Sequence, residues 1–113
     1  MIYVAAPYSS PLVGIQEQRL ERTIEFVLHL TSRGLTAFSP VAYFYPLARA
    51  LNLPEDATTW HNHNMQFLRR AEAMFVLHLT GWDQSKGLQI EMKLAKALGI
   101  EIVHFAADFS PVQ

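Results

Sequence analysis

Cysteine is absent from the chain, which excludes disulfides, thiolate metal sites and a cysteine nucleophile. An excess of either charge is absent too. Nine Lys and Arg stand against ten Asp and Glu for a formal charge of −1, so no global positive field draws in a nucleic-acid polymer or an anionic membrane. Long hydrophobic runs are also missing: the most apolar stretch, Ala73 to Leu79, contains His78 and falls far short of the roughly 20 residues that cross a bilayer. The opening residues Met1-Ile2-Tyr3-Val4 carry no basic leader segment, which makes the cytoplasm the expected compartment. What the sequence does hold is core-forming material. Half of its 113 residues are hydrophobic and only 17% are charged, which suits a single folded domain over residues 1–113 and not a disordered segment.

The order of elements follows from patterning. Ile2 to Ala6 is an unbroken apolar run ending at Pro7, the signature of a strand buried on both faces of a parallel sheet. Ser10-Pro11 reads as a helix cap with proline in the first turn, and Leu20, Ile24, Val27 and Leu28 recur at helical spacing until Gly34 closes the helix. Leu35 to Phe38 is a second strand, ended by Ser39-Pro40, after which the sequence predicts an aromatic loop at Tyr43-Phe44-Tyr45 and a short helix at Leu47 to Leu51. Asp56 is placed to cap a helix running to about Arg70. Met74 to Leu79, a helix capped by Ser85 and closed at Gly99, and Ile100 to Phe105 complete the chain. Strands alternating with helices through short loops imply βαβ units around a small parallel sheet of four or five strands.

In such a sheet ligands bind beyond the carboxyl ends of the strands, so the loops to inspect are Ala6 to Ser10, Ser39 to Pro46 and Thr80 to Gly87. Ser10 and Ser85 precede helices whose free N–H groups can hold an anion, or they simply cap. Glu91 is the most informative residue. It shares a helix side with Leu88, Met92, Ala95 and Leu98, and a carboxylate on a face that packs against a sheet is costly without a partner. It is either an edge residue paired with a lysine or a functional carboxylate near the strand ends. His61 and His63 suggest a metal, but i, i+2 spacing points the two imidazoles to different helix faces, so no metal is expected.

Ile2-Tyr3-Val4-Ala5-Ala6-Pro7-Tyr8-Ser9, followed much later by Gly81-Trp82-Asp83-Gln84-Ser85-Lys86-Gly87 and Glu91, resembles the nucleoside 2-deoxyribosyltransferase-like superfamily over nearly the whole chain. The resemblance implies a flavodoxin-like three-layer α/β sandwich and chemistry at a nucleoside's N-glycosidic bond. It implies Glu91 as the nucleophile that captures the sugar covalently, and Tyr3 as the hydroxyl that orients it. Substrate contacts would come from Ala6, Tyr8, Ser9, Ser10, Asp83, Ser85 and Gly87. Ser85 stands six residues before Glu91, where transferases of the family carry Asp and nucleotide-hydrolysing relatives carry Ser. One departure matters for the chemistry: the Asp usual in the helix before the third strand is Asn64 here. An amide can bond a base or sugar but cannot protonate a leaving base, a task that then falls to His61 or His63, to the base itself, or to nothing.

The leading expectation is an N-glycosidase or deoxyribosyltransferase-like enzyme acting on a nucleoside or nucleoside 5′-phosphate, without metal or organic cofactor. A nucleotide-sensing module of the same fold is the alternative, and a protein-binding patch at Tyr43-Phe44-Tyr45 and Trp82 a third. A homo-oligomer, a dimer or a dimer of dimers, is expected as well. The short chain leaves a shallow groove, its aromatics at Tyr43, Phe44, Tyr45 and Trp60 exceed what one small core hides, and the tail Asp108 to Pro111 can reach a partner.

Overall fold

The apolar run at the start becomes the inner strand β1, Ile2–Ala5, of a four-stranded sheet with order β2-β1-β3-β4. The computed structural model describes residues 1–52 and 57–113, so the cap expected at Asp56 lies outside the described residues. After β1 come α1 (Val13–Ser32), β2 (Ala37–Phe38), α2 (Pro40–Ala50), α3 (Ala57–Arg69), β3 (Ala73–His78), a short 3₁₀ turn at Trp82–Gln84, α4 (Lys86–Ala97) and β4 (Glu101–Ala106). All three strand pairings are parallel, with Tyr3 beside Phe38 on one side and Met74 on the other.

Alternation along β1 divides its side chains between two cores. Val4 and Ala6 meet Phe26 and Leu30 of α1, together with Leu77 and Phe105. Tyr3 and Ala5 face the opposite way, onto Met65 and Leu68 of α3 and Leu88 and Ala95 of α4. The result is the α/β three-layer sandwich that the resemblance implies, built on the parallel sheet that the patterning predicts. No helix among the described residues is long and apolar enough to cross a membrane.

Four local expectations need correction. The helix after β1 starts at Val13, with Leu12 at the N-cap position and no side-chain cap from Ser10; the Ser10 hydroxyl instead accepts from Leu12 N at 3.1 Å, and the Ser10 carbonyl is taken by Gln16 Nε2 at 2.8 Å. Those bonds close a turn ahead of the helix. Conversely, Ser39-Pro40 does not merely end a strand: the Ser39 hydroxyl accepts from Ala42 N at 3.1 Å and Pro40 opens α2. The expected loop at Tyr43-Phe44-Tyr45 is therefore helical. Val41, Phe44 and Ala48 anchor that helix by burial, which outweighs the hydrogen bond lost at Pro46 within it. Burial also revises the aromatic surplus, for Phe44 is buried and stacked near Trp60 while Tyr45 stacks on Tyr8, leaving Tyr43 as the exposed member. Lastly, the tail folds back on its own strand: Pro111 bridges Phe105, Val112 N donates to the His104 carbonyl at 2.8 Å, and the Phe109 ring packs on Phe26. It does not extend outward.

Candidate active site

Beyond the carboxyl ends of β1 and β3, at the point where the strand order reverses, lies a cavity of about 510 Å³. The loop after β1 contributes Ala6, Tyr8 and Ser9; α2 contributes Pro40, Val41 and Tyr45; α3 contributes Trp60, His61 and Asn64. Gly81 and the start of α4, with Ser85, Gly87 and Glu91, complete it. The β1 and β3–α4 segments thus converge although some 80 residues separate them.

Tyr3 is fully buried beneath this cavity, and its hydroxyl donates to Glu91 Oε2 at 2.5 Å. The pairing follows from register. β1 sends Tyr3 toward the α4 side of the sheet, and α4, capped by the Ser85 hydroxyl accepting from Leu88 N at 3.3 Å, brings Glu91 round to the same side as buried Leu88 and Ala95. Burial pushes the Glu91 carboxyl up to about 7, against a smaller opposing pull from the Tyr3 hydrogen bond. Burial, reinforced by the neighbouring Glu91 charge, holds the Tyr3 phenol well above its ordinary range. Near neutral pH the tyrosine is therefore a fixed donor, while the glutamate divides between acid and carboxylate. Such a carboxylate is a nucleophile or base at little protonation cost.

Of the residues singled out from sequence, Ala6, Tyr8, Ser9, Asn64, Ser85, Gly87 and Glu91 line the cavity and Tyr3 reaches it through Glu91. Ser10 and Asp83 do not. Ser10 is held in the turn before α1 and borders a second cavity; Asp83 is exposed on the 3₁₀ turn, its carbonyl accepting from Gln89 Nε2 at 3.0 Å. Of the two histidines, His61 is in the wall, whereas His63 packs edge-on against Phe44 and Phe67. Among the described residues, no group of three His, Cys, Asp or Glu is placed to hold a metal ion.

Arg19, Tyr45 and Trp60 were not singled out as site residues, yet they line the cavity. Tyr45 lies flat on Tyr8, with ring centroids 3.7 Å apart and planes 13° off parallel. Asn64 Oδ1 is a buried side-chain oxygen with no hydrogen-bond partner among the described residues, and a buried acceptor left so is costly.

The sheet order and its flanking helices give a flavodoxin-like α/β fold. Among solved structures the chain is similar to a 2-deoxyribosyltransferase from the psychrotolerant bacterium Bacillus psychrosaccharolyticus, with a TM-score of 0.59 and 20% identity, over 99% of this chain and 76% of that one. Residues 1–107 match the family described as "Domain of unknown function (DUF1937)", and the chain belongs to that family. No curated protein matches the chain.

The raised Glu91 carboxyl makes a stability prediction. Folding holds the neutral form, so the ionisation penalty is absent below the ordinary value of 4.5, grows as pH rises, and is complete above about 7. Glu91→Gln removes it. Urea unfolding should find the variant and the parent alike at about pH 4.5 and the variant more stable by about 1–3 kcal/mol at about pH 8, allowing for partial solvent access. A variant less stable at the higher pH would contradict the burial of the carboxyl.

Proposed function

We propose that the protein is an N-glycosidase or deoxyribosyltransferase-like enzyme that acts on the N-glycosidic bond of a nucleoside or nucleoside 5′-phosphate, with Glu91 as nucleophile. The observation that carries this reading is the buried Tyr3 hydroxyl donating to Glu91 Oε2 at 2.5 Å beside the cavity. In the reaction envisaged, the free carboxylate oxygen forms a bond to the anomeric carbon as the bond from that carbon to the base nitrogen breaks, and the electron pair leaves with the base. Water, or the nitrogen of a second base, then attacks the same carbon and returns the carboxylate. Tyr3 fixes the glutamate's orientation through its second oxygen.

The walls suit such a ligand. Tyr45 and Trp60 supply aromatic surface for a base, with Tyr8 stacked beneath Tyr45, while Ser9, Ser85 and Gly87 supply hydroxyl and backbone groups for a sugar or its phosphate. Asn64 is available to bond the base, and His61 is the imidazole in the wall able to donate a proton to it. The reaction so drawn uses neither metal nor organic cofactor.

One observation favours a second reading, a nucleotide-sensing module. Glu91 is the one carboxyl among the described residues of the wall, and Asn64 in the same wall is an amide that cannot protonate a leaving base. Product analysis distinguishes the two. A panel of deoxynucleosides and deoxynucleoside 5′-phosphates should yield free base, with turnover reduced about 10³-fold or more by Glu91→Gln and about 10²-fold by Tyr3→Phe. Tight binding with no base released by the parent protein would leave the sensor.

A homo-oligomer belongs to the same proposal. The outward face of α2 shows Tyr43 and Leu47, followed by Leu51, at 52%, 43% and 66% exposure, while the inward face of that helix walls the cavity. Association through this face would bury the apolar stripe and steady the wall. Light scattering at micromolar concentration should give at least twice the 12.8 kDa chain mass, and Leu47→Glu should lower it; a parent mass of one chain would rule this out.

A further inference from the structure

Arg19 projects from the second turn of α1 to the site, where its donors go to main-chain carbonyls of two separate loops. Its Nη1 donates to the carbonyl of Ser9 at 2.8 Å and, more weakly, to that of Tyr8 at 3.3 Å; its Nη2 donates to the carbonyl of Thr80 at 2.9 Å. Tyr8 and Ser9 follow β1 and Thr80 follows β3, so one guanidinium joins the ends of two adjacent strands across the reversal of strand order.

We propose that Arg19 is a positioning residue of the active site, whose guanidinium sets the spacing between the Tyr8–Ser9 loop and the Thr80–Gly81 loop and thereby the place of the substrate relative to Glu91. Three features support it. A planar fork of fixed donors can hold several carbonyls at set angles, which a lysine ammonium on a flexible stem cannot. The approach is close: a Cβ on Gly81 would lie 2.8 Å from Arg19 Nη2, so the guanidinium would have to shift from its place, and Gly81 itself adopts φ +88°, a left-handed conformation that favours glycine. Further, Arg19 borders both the active-site cavity and a second cavity of about 550 Å³ that Arg22, Leu79 and Ala107 help to line. Its side chain therefore stands in the partition between the two. α1 does not need it for anchorage, because Phe26 and Leu30 are buried against the sheet and Thr23 Oγ1 donates to the Arg19 carbonyl at 2.7 Å.

The kinetic side of this inference rests on the enzyme reading above; the structural side does not. The test compares the parent with Arg19→Ala and Arg19→Lys, after circular dichroism shows parent-like folding. In amide hydrogen exchange, residues 8–10 and 80–87 of Arg19→Ala should exchange about tenfold faster together, with the interiors of β1 and β3 unchanged. In turnover, kcat should fall about 10²-fold with KM altered less than about threefold. Guanidinium ion at about 20 mM should restore about tenfold of that loss in Arg19→Ala while methylammonium does not, and Arg19→Lys should stay closer to the alanine variant than to the parent. Unchanged exchange in both loops overturns the proposal, as does a folded variant with parent kinetics or with a loss that guanidinium leaves untouched. If the parent protein releases no base, the enzyme reading fails, and the exchange comparison alone decides whether Arg19 holds the loops.

Discussion

The hydrogen bond from a fully buried tyrosine to a carboxyl raised to about 7 is the contact around which the molecule is arranged. A phenol in a core needs a partner for its hydroxyl, and a carboxyl under a cavity needs a donor; each meets the requirement of the other. The arrangement holds only if β1 is an inner strand, if Tyr3 rather than Val4 faces α4, and if the Ser85 cap starts α4 where it does. A slip of one residue in β1 would send Tyr3 to the α1 side and leave Glu91 without that donor. Sheet register, helix phase and site geometry are in this sense one constraint.

Much of this was legible beforehand, for identifiable reasons. β1, β3 and β4 are short apolar segments bounded by turns, and their expected ends differ from the observed ones by at most one residue. Glu91 stood out because a carboxylate in an apolar helical stripe breaks the pattern that burial imposes. The two Ser-Pro pairs show where such reasoning fails. Both offer a capping hydroxyl followed by proline, yet Ser39-Pro40 starts a helix and Ser10-Pro11 does not. What separates them is tertiary: Val41 and Phe44 find a core at once, whereas the Ser10 carbonyl is claimed by Gln16. Arg19 was illegible for a related reason. An arginine on an amphipathic helix looks like any solvated charge until the fold carries Thr80 to within 2.9 Å of it.

The placement of polar groups also separates stability from chemistry. The two apolar cores lie on either side of the sheet, while the raised carboxyl and the Asn64 oxygen, which has no partner among the described residues, are found together at the carboxyl edge. Proteins tolerate such locally unfavourable groups where a ligand makes use of them. That both occur in one cavity, with aromatic walls on its other side, is what turns a fold shared by many functions into a specific proposal about bond cleavage.

The most direct test of that proposal is to trap the sugar. Electron-withdrawing fluorine at the sugar's 2-position slows the breakdown of a glycosyl–carboxylate ester more than it prevents its formation when the departing base is a good leaving group. After incubation with 2′-deoxy-2′-fluoroarabinosyl nucleosides, mass spectrometry of proteolytic fragments should find one fluorosugar on the peptide that contains Glu91 and none on the Glu91→Gln protein. Cleavage of natural nucleosides with the label on another residue, or base release and label both absent across a panel of nucleosides and their 5′-phosphates, would contradict the account.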